Sequence, residues 1–232
     1  MENDKSPRAL KAILFDLDGV LADTEPIHFM MFQRVLKEEG LPLSRRDYYD
    51  KYVGLDDKGC FHAILTAHAR PVSPELIQQL IERKAVMLQD SLKAHLGLFP
   101  GVVELVTHAA ARYRLAIVSG ALRHEIHYIL ETAGIRKAFE HITAAEDVHN
   151  GKPDPEGYLH ALRSLNQTST VHAAECLVIE DTPPGIEAAH GAGMRCLAVA
   201  NTYPVAQLMT ADAIAETLKD YDLTALERRL WS

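Results

Sequence analysis

The chain has 232 residues, 47% of them hydrophobic and 24% charged, with 32 acidic against 24 basic residues and a formal net charge of −8. That is ordinary globular composition, long enough for one domain plus a smaller one. An acidic chain gains little from counterion release on DNA or RNA, so nucleic acid is not an expected partner. No apolar run approaches a membrane span and no signal peptide is read at the polar start, so a soluble cytoplasmic protein, monomeric by default, is expected. Cys60, Cys176 and Cys196 form no CxxC pair and read as unpaired thiols of a reducing compartment.

In chain order, the apolar Ile13 to Phe15 run into Asp16, Leu17, Asp18 and Gly19. This predicts a strand ending in a loop. Thr24-Glu25-Pro26 reads as a helix start with Thr24 as cap, and Gly40 as its stop. Short amphipathic helices follow over 44–96, including about 57–69 and about 73–93. No strand pattern occurs between Thr24 and Leu96. Helix and strand patterns then alternate: helix 102–112, strand 115–118, helix 123–132, strand 139–144, helix 156–165, strand 176–179, helix 184–191, strand 194–199. The expected fold is α/β: a Rossmann-like parallel sheet with helices on both faces, formed by 1–24 and 97–232, plus an all-helical insertion at 25–96. The tail from Ala211 is read as one or two closing helices, with Trp231 on a surface groove.

Polar residues fall at the ends of these strands. Asp16 and Asp18, Ser119 beside Gly120, and Glu180-Asp181 each terminate an apolar run, and Lys152 lies in a Gly/Pro loop before a helix. In a parallel sheet such ends share one edge, where ligands bind. Singly, each has a plain explanation: an acidic turn, a helix cap, a solvated lysine. Together they make a coherent set. Asp16, Asp181 and Glu180 offer hard oxygens suited to Mg²⁺. Ser119, the Gly120 amide and Lys152 offer a hydroxyl, a backbone N–H and a cation to a phosphate. A carboxylate held beside phosphorus can attack it, and a second can protonate the leaving oxygen.

The stretch Phe-Asp-Leu-Asp-Gly-Val-Leu-Ala-Asp-Thr-Glu-Pro resembles the first motif of the haloacid dehalogenase-like (HAD) hydrolases, in their phosphoglucomutase-like and phosphatase branch. Ser119, Lys152 and Glu180-Asp181-Thr-Pro-Pro-Gly resemble the three later motifs, in order, and the similarity spans about residues 10–205. It implies that Asp16 is the nucleophile and Asp18 the acid/base, whose carbonyl also binds Mg²⁺. It further implies that Ser119 and Lys152 hold phosphate, and that Asp181, with Glu180 beside it, holds the metal. By the same resemblance residues 25–96 form a cap that carries specificity. Thr24 and His28 match cap-hinge positions, and Lys58 is a candidate contact for a second anionic group, or a plain surface lysine.

The function expected is Mg²⁺-dependent hydrolysis of a small phosphorylated metabolite, a sugar phosphate or phosphoglycolate-like compound, through an aspartyl-phosphate. The alternatives are a β-phosphoglucomutase-like mutase and a non-catalytic binding protein on the same fold. Dehalogenation is set aside because Asp18 is present.

Overall fold

The computed structural model describes residues 9–231. Its centre is a parallel sheet of β1 (Ala12–Phe15), β2 (Arg114–Val118), β3 (His141–Thr143), β4 (Cys176–Glu180), β5 (Arg195–Val199) and β6 (Ala213–Ala215), in the order β3-β2-β1-β4-β5-β6. Between β1 and β2 the chain inserts α1 (Glu25–Glu38), α2 (Arg45–Lys51), α3 (Asp57–Ala67) and α4 (Pro74–His95). Then come α5 (Val102–Ala110), α6 (Arg123–Thr132), α7 (Glu156–Leu165), α8 (Pro183–Gly191) and α9 (Leu223–Trp231).

β1 is central, with Phe15 in register with Ile117 on one side and Ile179 on the other. All four of its residues are buried. A strand covered on both faces needs an unbroken apolar run, which Ala-Ile-Leu-Phe supplies. Ile13 and Phe15 belong to one apolar cluster with α5 and α6, whereas Ala12 and Leu14 belong to a second with α7 and α8. Alternate side chains of one strand thus anchor helices on both faces.

The insertion has its own apolar centre, in which Phe32, Val35 and Leu36 of α1 meet Phe61 and Ile64 of α3 and Leu80 of α4. Ile27 and Met31 of α1, and Leu88 and Leu92 of α4, join the main cluster instead. α1 stops at Gly40, whose φ of +72° lets Leu41 N–H reach back to Leu36 O. α3 and α4 are capped by Asp56 and Ser73, whose side chains accept from Gly59 N–H at 2.7 Å and Leu76 N–H at 3.2 Å.

Three expectations fail here. Thr24 stands at the start of α1 but its hydroxyl makes no capping bond, because it donates to the Asp18 carboxylate, a stronger acceptor. The tail holds a strand before its single helix. β6 spans only three residues, too few for alternation to show, and forms by pairing with β5. Nor does Trp231 lie on a surface groove. It is 8% exposed within the main cluster, its Nε1 donates to Ala174 O at 2.8 Å, and Arg195 stacks 4.6 Å from a ring centroid. Among the described residues no helix is long and apolar enough to cross a membrane.

Trp231→Ala is therefore expected to lower unfolding free energy by about 3–5 kcal/mol in urea titrations, the cost of emptying a buried aromatic site. A residue on a surface groove would cost within about 0.5 kcal/mol.

Candidate active site

The parallel ladder continues one residue past β1 and β2 before the chain turns. Asp16 N–H donates to Ile179 O at 3.0 Å, and Ser119 N–H to Thr143 O at 3.1 Å. Asp16, Ser119 and the Glu180-Asp181 pair therefore emerge side by side at the carboxyl edge of the sheet. Lys152, from the loop before α7, reaches over that edge. Its Nζ lies 2.6 Å from Asp16 Oδ1 and 2.6 Å from Glu180 Oε1.

Glu180 is fully buried and its carboxylate is saturated. Tyr158 OH also donates to Oε1 at 3.2 Å. Oε2 accepts from Asp181 N–H at 2.8 Å, Thr182 N–H at 2.9 Å and Thr182 Oγ1 at 3.0 Å. Asp181 is held differently. Its Oδ1 is buried without a hydrogen-bond partner. Gly19, at φ +77°, passes so close that a β-carbon there would lie 1.9 Å from Asp181 Oδ2. Only glycine satisfies both the conformation and the approach.

Asp18 points toward the insertion. Thr24 donates to its Oδ1 at 2.5 Å, His28 Nε2 lies 3.5 Å from the same oxygen, and Ser119 donates to Oδ2 at 3.2 Å. Behind His28, its Nδ1 lies 2.8 Å from Lys84 Nζ, which pairs with Asp57 Oδ1 at 2.5 Å and sits 4.4 Å from the Phe32 centroid. One loop of the insertion, between α2 and α3, meets the core at this edge. A β-carbon at Gly151 would lie 2.9 Å from Asp56 Oδ2, one at Gly120 would lie 3.2 Å from Asp56 Cβ, and one at Gly54 would lie 3.3 Å from Thr182 Cγ2.

The electrostatics separate these acids. Burial pushes Asp16 up to about 8; Lys152 opposes this, and the charges of Glu180 and Asp18 add to it. Asp181 is raised by burial and by Glu180 and Asp16. Burial pushes Asp18 the same way, but His28 and Thr24 outweigh it and hold the carboxyl at about 2. Burial also disfavours charge on Lys152, yet Asp16 and Glu180 keep its ammonium well above its usual range.

Residues 13–199 match the family model described as haloacid dehalogenase-like hydrolase. The chain belongs to that family. A phosphorylated carbohydrates phosphatase of Thermotoga maritima is 32% identical over 187 residues, 80% of this chain and 82% of the relative. A β-phosphoglucomutase of Bacillus subtilis is 29% identical, covering 94% of each chain. Among solved structures, CbbY from Rhodobacter sphaeroides in complex with phosphate superposes with a TM-score of 0.79 at 27% identity, covering 90% of this chain and 95% of that one. This HAD hydrolase is an enzyme of phosphoric monoester hydrolysis.

The donor set of the HAD site fits a hard divalent cation. Asp16, Glu180 and Asp181 each bring a carboxylate oxygen within 4.8 Å of the others. The buried, unpartnered Asp181 Oδ1 and the upward-shifted Asp16 suit such an ion, which would offset both. The edge thus gathers Asp16, Asp18, Ser119, Gly120, Lys152, Glu180 and Asp181, with Thr24 just before the insertion and His28 reaching them from it. Lys58 is not among them. It is exposed and faces an adjoining cleft, because Asp57, one residue earlier, turns inward to Lys84. Sequence reasoning missed Lys84, Asp57, Glu25 and Tyr158. Lys84 had a signal: it falls on the apolar stripe of α4, between Leu80 and Leu88.

A carboxyl raised in the folded state stabilises the fold at low pH, and that stability fades as pH climbs from about 4 toward the raised value. In chelator, Asp181→Asn is expected to be more stable than wild type by about 1–3 kcal/mol at pH 8. At pH 5 the gain should shrink, and urea unfolding at both pH values reads the difference. A loss of stability at pH 8 contradicts the crowding of these acids.

Proposed function

We propose that the chain is a Mg²⁺-dependent phosphatase of a small phosphorylated metabolite, a sugar phosphate in the first instance. The observation that carries this is Lys152 bridging Asp16 and Glu180 while a buried oxygen of Asp181 beside them has no partner. One ammonium and one divalent cation are the charges a phosphoryl group needs to approach a carboxylate.

Asp16, Asp181 and the main-chain carbonyl of Asp18 would hold Mg²⁺. Glu180, its oxygens already occupied, acts by fixing Lys152. The ion supplies charge neutralisation at the phosphoryl oxygens. Asp16 is the nucleophile: its free oxygen bonds to phosphorus as the ester oxygen leaves, giving an aspartyl-phosphate. Ser119, the Gly120 amide and Lys152 hold the phosphoryl oxygens. Asp18, ionised beside His28, relays a proton from the His28 imidazolium to the departing alcohol, then takes one from the water that attacks phosphorus and frees Asp16, and returns it to His28. His28 and Thr24 orient Asp18. Residues 25–96 act as a cap over a core of 1–24 and 97–232, and its closure excludes bulk water.

The test is phosphate release from p-nitrophenyl phosphate with Mg²⁺. Asp16→Asn should fall to background, and Asp18→Asn should lose ~10²–10⁴-fold. Activity in neither protein, or equal activity in wild type and Asp16→Asn, defeats the reading and leaves a binding protein. A mutase would instead convert a sugar phosphate to its isomer with little free phosphate; free phosphate without isomer is the expected result. With Mg²⁺ at 100 times its dissociation constant, thermal unfolding should report about 2.7 kcal/mol of added stability, and Asp181→Asn should lose it.

A further inference from the structure

The cavity between sheet edge and insertion is lined by six carboxylates: Asp16, Asp18, Glu25, Asp56, Asp57 and Asp154. Among the described residues its lining includes one lysine, Lys152, and no arginine. Lys152 is committed to the phosphoryl end by its 2.6 Å contacts to Asp16 and Glu180. Lys84, the next cation inward, is fully buried and engaged by Asp57 and His28. The part of the substrate that leaves as an alcohol therefore meets no uncommitted cation.

It does meet acceptors. Glu25 takes the Tyr48 hydroxyl on Oε2 at 2.8 Å, and among the described residues nothing donates to its other oxygen. Asp56 spends Oδ1 on Gly59 N–H at 2.7 Å, and Oδ2 points at Gly151 without a donor. Asp57 spends Oδ1 on Lys84. Glu25, Asp56 and Asp57 thus each keep one oxygen without a donor among the described residues, able to accept and unable to donate while ionised.

We propose that this cavity selects a phosphate monoester whose leaving alcohol bears an ammonium group or hydroxyls alone and rejects one with a second negative charge, with Glu25 and Asp56 as the specificity-determining residues. This rests on the phosphatase reading above. An ammonium donates three hydrogen bonds and offsets the local negative charge, a hydroxyl donates one, and a carboxylate or second phosphate donates none and is repelled. Bisphosphates and phosphoglycolate-like esters fall in the rejected class.

The test is kcat/KM with Mg²⁺ for a matched series: glucosamine 6-phosphate, glucose 6-phosphate and 6-phosphogluconate, with p-nitrophenyl phosphate as reference. Where a sugar is not turned over, its inhibition constant against the reference is used. The expected order is ammonium, then neutral, then anionic, with roughly 100-fold or more between the extremes, the scale of like-charge discrimination. Glu25→Gln and Asp56→Asn should each shrink that span about tenfold; Asn still caps α3, which protects the fold. A flat or reversed order, or a span that Lys58→Ala changes and the carboxylate variants do not, overturns the charge reading while reference turnover sustains the phosphatase. No hydrolysis of any of the four esters overturns both.

Discussion

Everything at the sheet edge follows from placing Asp16, Glu180 and Asp181 in a space that water barely reaches, with Lys152 as the one ammonium among them. Like charges in such a medium repel strongly and lose hydration, so the arrangement persists only where positive charge is supplied. Lys152 and the backbone donors around Glu180 supply part of it and lock Glu180 ionised. Asp16 and Asp181 carry the deficit as elevated proton affinities. A deficit of this kind is offset by a hard divalent cation, the charge for which the donor set fits. The packed sheet bears the cost: β1, buried along its whole length between β2 and β4, leaves Asp16 no alternative direction.

The insertion is tied to this edge through Asp18. Thr24 and His28 both address one of its oxygens, and His28 is itself backed by the buried Lys84–Asp57 pair. Burial raises both carboxyls, but Asp18 is brought down by Thr24 and by His28 of the insertion, whereas Asp16 stays raised among the charges of the core. Two carboxylates two residues apart are thus driven in opposite directions by two different sets of neighbours.

Much of this was legible in the sequence, and the reasons are local. Ile13 to Phe15, Leu115 to Val118 and Cys176 to Ile179 are unbroken apolar runs that end on a polar residue, so a doubly covered strand and its reactive end are both visible in one line of letters. What stayed hidden depended on distance in the chain. Ala213–Ala215 is a strand only because Val199 lies beside it. Trp231 is buried only because Ala174 and Arg195 come to it. Thr24 looked like a cap since nothing local shows that Asp18, six residues earlier, folds back to claim its hydroxyl. Lys58 stands out in the sequence because it follows the Gly54-Leu-Asp-Asp turn, whereas Lys84 lies deep inside a long helix and draws no notice. The burial of Lys84 is decided by Asp57 on the neighbouring helix.

The seam where Asp56 lies against Gly120 and Gly151, and Gly54 against Thr182, has a consequence for how the insertion seats on the core. A β-carbon at any of the three glycines would press on the facing side chain, so hydrogen is the one substituent these positions take without a shift across the seam. A methyl group added at any of them would act as a wedge between the two halves.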